Sequence, residues 1–286
     1  MIEIGIGPNI IDAGSFVLSW HGLLSVIAVV LAVYLVGRWA PFKGISSETV
    51  YSAAVWCIIA GIIGARIVHV IDEWGYYISN PGQIIAIWNG GIAVWGAIVG
   101  GFIGGWIYAS INKIPRGPLA DVCAPAMLIA MAVGRIGDII NGEHIAMPTN
   151  VPWGVVWSHP TSPTFQKYGL LSTHPAVIYE LILDVVIFSV IWWYLRKRLQ
   201  PDGMVFAAYF AMYSFGRFFI LFFHDYKIWL VGLNEAQIIC VVILAITVPL
   251  LAYKARLVNP GKTEKELSLR KEAETNRSRR KRTDAS

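Results

Sequence analysis

The chain has 286 residues, 56% of them hydrophobic and only 14% charged, with a formal net charge of +5. Soluble domains carry about a quarter of their residues as charges, so this balance excludes one and points to an integral membrane protein. The positive charge comes with no nucleic-acid motif. Cys57, Cys123 and Cys240 form no pair motif and the histidines lack metal-ligand spacing, so neither a nucleic-acid partner nor a metal site is expected.

Seven apolar runs approach the roughly 20 residues that cross a bilayer. They lie at about 17–37, 50–72, 91–112, 118–140, 174–195, 204–223 and 235–253. The first has no positive residue before it and no small-residue exit, and reads as a retained helix. Lysine and arginine accumulate on the cytoplasmic side of membrane proteins. Arg38 and Lys43 follow the first run, Lys113 and Arg116 the third, Arg196, Lys197 and Arg198 the fifth, and 11 more lie from Lys254 onward, whereas the intervening loops hold only Lys167 and Lys227. The expected fold is therefore an all-α integral membrane protein with seven transmembrane helices, N-terminus outside and C-terminus cytoplasmic. Its membrane domain covers 1–253, with a small external cap between helices 4 and 5 at about 141–173, and a basic cytoplasmic tail covers 254–286.

In chain order, His21 stands at the outer end of helix 1, either as a proton acceptor facing a cavity or as an interfacial histidine. Helix 2 carries Arg66 and, one turn on, His69. Gln83 to Trp88 is expected along the membrane interface. Gly96, Gly100 and Gly104 repeat every four residues in helix 3, the spacing that lets two helix backbones approach. Helix 4 ends in GRIGDIINGEH, with Arg135, Asp138 and Asn141 on one face and Glu143 and His144 just beyond. The connection from Asn141 to Thr173 has four prolines together with Trp153 and Trp157, and is long enough to be functional. His174, Tyr179 and Glu180 open helix 5, helix 6 contributes Tyr213 and Arg217, and His224 and Asp225 follow it. The tail ends in Arg279–Arg280–Lys281–Arg282, a solvated charge run near anionic lipid.

Arg66, Arg135 and Arg217 are the basic residues that fall inside predicted helices, and each lies about one and a half turns, roughly 8 Å, from the outer end. Each could snorkel or pair with an acid for structure alone. Three at one depth are better explained by a shared anionic ligand such as a phosphate, which guanidinium binds through paired hydrogen bonds. No G-x-S-x-G or other nucleophile motif is present.

The order Trp20-x-Gly22, Gly64-Ala65-Arg66, Trp88-x-Gly90-Gly91, GRIGDIINGE from Gly134 to Glu143, Pro148-Thr149, HPAVIYE from His174 to Glu180 and Gly216-Arg217-Phe218 resembles prolipoprotein diacylglyceryl transferase. The resemblance spans helices 1 to 6. It implies a multi-pass enzyme of the bacterial inner membrane that moves the diacylglyceryl group of phosphatidylglycerol onto the lipobox cysteine thiol of a prolipoprotein, releasing glycerol 1-phosphate without a cofactor. By the same resemblance Arg135 holds the headgroup, Glu143 is the motif glutamate and Arg217 the second essential arginine. Arg66, Asp138, Asn141, His174 and Tyr179 complete the expected substrate-binding set.

The sequence departs from the family pattern near the chemistry. Trp95 stands where many members have histidine, His21 for a tyrosine, Asp138 for an asparagine, Ala146 for a glycine, Leu221 for a glutamate, and His224 for an arginine or similar residue. One reading is a rebuilt site with His21 or His69 accepting the proton. The alternatives are a paralogue that binds anionic phospholipid without turnover or with another donor, and a lipid or small-solute transporter; no internal repeat supports the last.

Overall fold

The computed structural model describes residues 2–14, 16–87, 90–91 and 93–259. Trp88 of the interfacial stretch and the basic cluster Arg279–Arg282 lie outside the described residues.

Each of the seven apolar runs forms a helix, and local signals set the ends. Three short strands come first, β1 (Ile2–Ile4), β2 (Asn9–Ala13) and β3 (Phe16–Ser19), with β2 and β3 paired antiparallel. Val17 to Ser19, apolar enough to count with the helix, are therefore strand, and α1 (Trp20–Trp39) starts where the Ser19 hydroxyl accepts the Gly22 N–H at 3.0 Å. α2 (Ser47–Asp72) is capped in the same way by Ser46. α3 (Val94–Ile111) begins after Gly90 and Gly91, both at positive φ. α4 (Arg116–Asn141), α5 (Ala176–Val190, extended by a π-helical turn to Leu195), α6 (Met204–Ile220) and α7 (Glu235–Lys254) follow. Asn234 and Gln237 form a reciprocal capping box at the start of α7. Six of these helices have the length and apolarity to cross a membrane, and α3 is a shorter apolar helix. The protein is an all-α integral membrane protein of about seven helices.

The chain divides into two compact units, residues 9–137 and residues 1–8 with 138–286. In the first, α2 and α3 lie backbone against backbone. A Cβ on Gly64 would fall 2.3 Å from the Gly96 carbonyl oxygen, and one on Gly100 would fall 2.4 Å from that of Ala60. The glycine repeat is thus a packing seam, as its spacing predicts. Below it, Val36, Ala40, Ile45, Val50, Ala109, Ile114, Val122 and Ala126 close an apolar cluster.

In the second unit α5, α6 and α7 pack in sequence, and the connection after α4 is folded. It holds β4 (Val155–Trp157), to which β1 adds as a parallel strand, and a short helix, Pro163–Tyr168. Further two-residue and three-residue strands pair at the helix ends: β5 (Leu199–Gln200) with β8 (Arg256–Leu257), and β6 (Ile228–Leu230) with β7 (Leu233–Asn234).

Candidate active site

In the second unit the chemistry gathers where α4 stops. Gly142 takes φ +70°, a conformation that disfavours a side chain, and a Cβ there would also meet Ser162 and Trp157. The carbonyls that the helix end leaves open are taken up by the folded connection. Trp157 Nε1 donates to the Ile139 oxygen at 2.8 Å, Ser162 Oγ to that of Asn141 at 3.0 Å and Thr164 Oγ1 to that of Gly142 at 2.6 Å. This collar fixes the residues that follow. Asn141 is buried and donates to Glu143 Oε1 at 2.8 Å, orienting the motif carboxylate. His144 sits at φ +55°, with Nδ1 3.0 Å from the Tyr226 hydroxyl and Nε2 3.6 Å from a carboxylate oxygen of buried Asp138.

The segment after α6 closes on the same stretch. Met147 N–H donates to the Phe223 oxygen, Asp225 N–H to that of Ile145, and Ala146 bridges His224. The His224 ring stacks on Tyr226 at 4.9 Å and 15°. Burial lowers His224 to about 4, Glu180 pulls it back up in part, and Arg217 and His144 add to the lowering. His224 is therefore neutral at pH 7, within the fields of both Arg217 and His144. Arg217 NH1 lies 2.5 Å from the Tyr213 hydroxyl and 3.5 Å from Glu180 Oε1, whose side chain is only 1% exposed. Leu221, one turn on, is fully buried and fills by packing the place of the family's glutamate. Nearer the surface, Asp225 pairs with Lys167 and accepts from the Tyr168 hydroxyl. Those contacts, Lys167 first, hold its carboxyl below the usual range, and Asp225 in turn pushes the Tyr168 phenol up to about 12.

His174 and Tyr179, expected to touch substrate, lie in an aromatic cluster. Both rings pack on Phe223, and the Tyr179 hydroxyl accepts from Trp153 Nε1 at 2.7 Å. Burial lowers the pKa of His174, leaving a neutral ring suited to such packing.

In the first unit Arg66 has partners that the sequence did not suggest. Nε donates to the Ile84 oxygen, NH1 to those of Gly90 and Gly91, and NH2 to those of Gln83 and Ala86, at 2.5–3.3 Å. A guanidinium has five N–H donors, and all five go to carbonyls of one loop, so none is left for a phosphate in this arrangement. The stretch expected along the interface is a loop wound round this cation. His69 stands edge-on to Tyr77, which also lies under Arg66, and its ring fills the space that a side chain on Gly91 would need. His21 lies at the start of α1, where its backbone approaches Gly137 of α4 so closely that a Cβ on Gly137 would come within 2.8 Å of the His21 Cα. Trp95 is half exposed on the first turn of α3.

A family profile described as prolipoprotein diacylglyceryl transferase matches residues 8–253. The chain belongs to the prolipoprotein diacylglyceryl transferase family. Among curated relatives, the phosphatidylglycerol–prolipoprotein diacylglyceryl transferase of Dehalococcoides mccartyi is 35% identical over 259 residues, covering 90% of this chain and 96% of its own. The protein of that name from Thermosynechococcus vestitus is 32% identical over 237 residues, covering 82% and 88%, and that from Trichormus variabilis is 32% identical over 242 residues, covering 82% and 84%. Membership makes this protein a membrane-spanning transferase of lipoprotein biosynthesis.

Within the family motif, the structure places Asn141 on Glu143 and the family-divergent Asp138 beside His144. Sequence reasoning left out Tyr226, the collar of Trp157, Ser162 and Thr164, and the Lys167–Asp225 pair. The aromatic and proline content of the 141–173 connection was the signal that this segment is built.

Proposed function

We propose that this protein transfers the diacylglyceryl group of phosphatidylglycerol to the lipobox cysteine thiol of a prolipoprotein, with release of glycerol 1-phosphate, at the outer leaflet of a bacterial plasma membrane. The observation that carries the reading is the motif from Gly134 to Glu143, which keeps the family's arginine and acid at the end of a helix whose geometry is fixed by its collar.

The cysteine sulfur attacks the glycerol carbon that bears the phosphate. A C–S bond forms, the C–O bond breaks, and the phosphate leaves with one more negative charge than it carried in the diester. Arg135 is assigned to the headgroup phosphate and Arg217 to the charge that grows on the leaving group. Glu180 and Tyr213 support the second role, because they hold the Arg217 guanidinium in place before charge develops. Asn141 keeps the Glu143 carboxylate oriented. Arg66 is assigned a positioning role, in which it shapes the loop leading to α3.

The test is transfer of a labelled diacylglyceryl group from phosphatidylglycerol vesicles to a lipobox peptide by the purified protein, beside Arg135→Ala. The expected result is transfer by the wild type and a loss of at least 10²-fold, about 3 kcal/mol, in the variant. A folded preparation that binds phosphatidylglycerol but gives no transfer would put the phospholipid-binding reading first.

A further inference from the structure

The family's histidine in the third helix is Trp95 here, so the proton of the attacking thiol needs another acceptor. We propose that His144 is that acceptor, in a triad with Asp138 and Tyr226. The inference rests on the transferase reading and adds to it the residue that ionises the substrate.

Three independent features single out this histidine. The first is its pairing at both ring nitrogens: Nδ1 is 3.0 Å from the Tyr226 hydroxyl and Nε2 is 3.6 Å from Asp138. With Nδ1–H donating to the tyrosine oxygen, Nε2 carries the acceptor lone pair. The distance to Asp138 is too long for a hydrogen bond to occupy that lone pair, yet short enough for the carboxylate to balance an imidazolium once it forms.

The second is backbone conformation. His144 is one of the few non-glycine residues at positive φ, at 55°, in the described chain. It is held there by the Gly142 turn on one side and by the bond from Asp225 N–H to the Ile145 oxygen on the other. A residue kept in a sparsely populated conformation by its surroundings is a mark of a position selected for where its side chain points.

The third is location. The side chain is 35% exposed, against 6% for its partner Asp138, so a substrate can reach the ring while the carboxylate behind it is shielded. The nearby His224, neutral and stacked on Tyr226, interacts electrostatically with both His144 and Arg217, which puts the proposed base in the neighbourhood of the proposed leaving-group arginine. The groups facing His144 are thus Asp138 from α4, Glu143 beside it in the chain, and Tyr226 and His224 from the segment after α6. Asp138 also gains a purpose. Where the family has asparagine, a carboxylate next to a phosphate would be repulsive, but beside a histidine that becomes cationic during the reaction it is stabilising.

In the step itself, the lipobox S–H gives its proton to Nε2 of His144, and the thiolate displaces the phosphate from the glycerol carbon. The electrons of the broken C–O bond leave on glycerol 1-phosphate. The imidazolium, paired with Asp138, then releases its proton to that phosphate or to water.

The experiment measures transfer from phosphatidylglycerol vesicles to two lipobox peptides, one with cysteine and one with selenocysteine in its place, for the wild type, His144→Gln and Asp138→Asn. A selenol is already ionised at neutral pH and needs no base, so it separates loss of a proton acceptor from loss of structure. For His144→Gln the expected result is a fall of about 10²-fold or more with the thiol peptide and less than tenfold with the selenol peptide. Asp138→Asn, which leaves the ring in place and restores the family's residue, should show the same pattern with a smaller fall. Unchanged thiol transfer in His144→Gln, or an equal loss with both peptides in both variants, overturns the assignment while leaving the transferase reading intact. Absence of transfer by the wild type with either peptide overturns both.

Discussion

At the scale of single residues, the site is governed by which groups are kept neutral and which are paired. His224 is the clearest case. Burial holds its pKa at about 4 in the folded protein, against an ordinary value of 6.5. Between those two values the unfolded chain binds a proton that the folded chain excludes. Stability is therefore full above about pH 6.5 and falls as pH drops through about 4. His224→Phe keeps a ring against Tyr226 and removes the titration. The expected outcome is that the loss of unfolding free energy between pH 7 and pH 4.5, measured in detergent, shrinks by on the order of 2 kcal/mol relative to wild type. An unaltered pH dependence would mean that the ring is solvated when folded. The Asp225 carboxyl contributes in the same direction but lower on the pH scale, since Lys167 and Tyr168 depress it below the ordinary carboxylate range. The two contributions separate on an acid titration.

At the scale of elements, the loop between α2 and α3 depends on one side chain. Arg66 satisfies carbonyls of Gln83, Ile84, Ala86, Gly90 and Gly91 from within α2, and lysine cannot replace it because an ammonium has three donors on a point and no fork. Arg66→Lys should leave at least two carbonyls unpaired, at about 1–3 kcal/mol each, and raise amide exchange across 83–91 while exchange in the α2–α3 glycine seam stays slow. Equal exchange throughout both helices would mean that the arginine supports the bundle and not the loop. This element also marks the limit of what a sequence discloses. The helices were legible because each is a long apolar run closed by a cap such as Ser19, Ser46 or Asn234, and the glycine repeat announced the α2–α3 seam through its spacing. The partners of Arg66 were not, because they are backbone carbonyls, which carry no residue identity. Nor was the collar round the end of α4, where Ser162 and Thr164 reach carbonyls 21 and 22 residues away. Arg135 and Glu143 could be read as a motif, whereas Tyr226, 82 residues from His144, could be found only in three dimensions.

At the scale of the whole molecule, the reaction requires the motif at the end of α4 to face the side on which exported precursors present their lipobox. The charge distribution supplies that orientation. With 11 basic residues from Lys254 onward and only Lys167 and Lys227 in the opposite loops, an odd number of spans places the C-terminus inside and the N-terminus outside. α4 then runs outward, and the 142–173 segment that caps it is external. The prediction is tested with a chain in which Cys57, Cys123 and Cys240 are replaced by alanine and one cysteine is reintroduced at Leu170 or at Asp202, both exposed. A membrane-impermeant thiol reagent should label Leu170→Cys in intact cells and Asp202→Cys only after the membrane is opened. The reverse result would be incompatible with the proposed reaction. It would turn Arg135 and Glu143 toward the cytoplasm, and lipid transfer would then have to precede export of the precursor. The collar and the triad round His144 would need a different substrate.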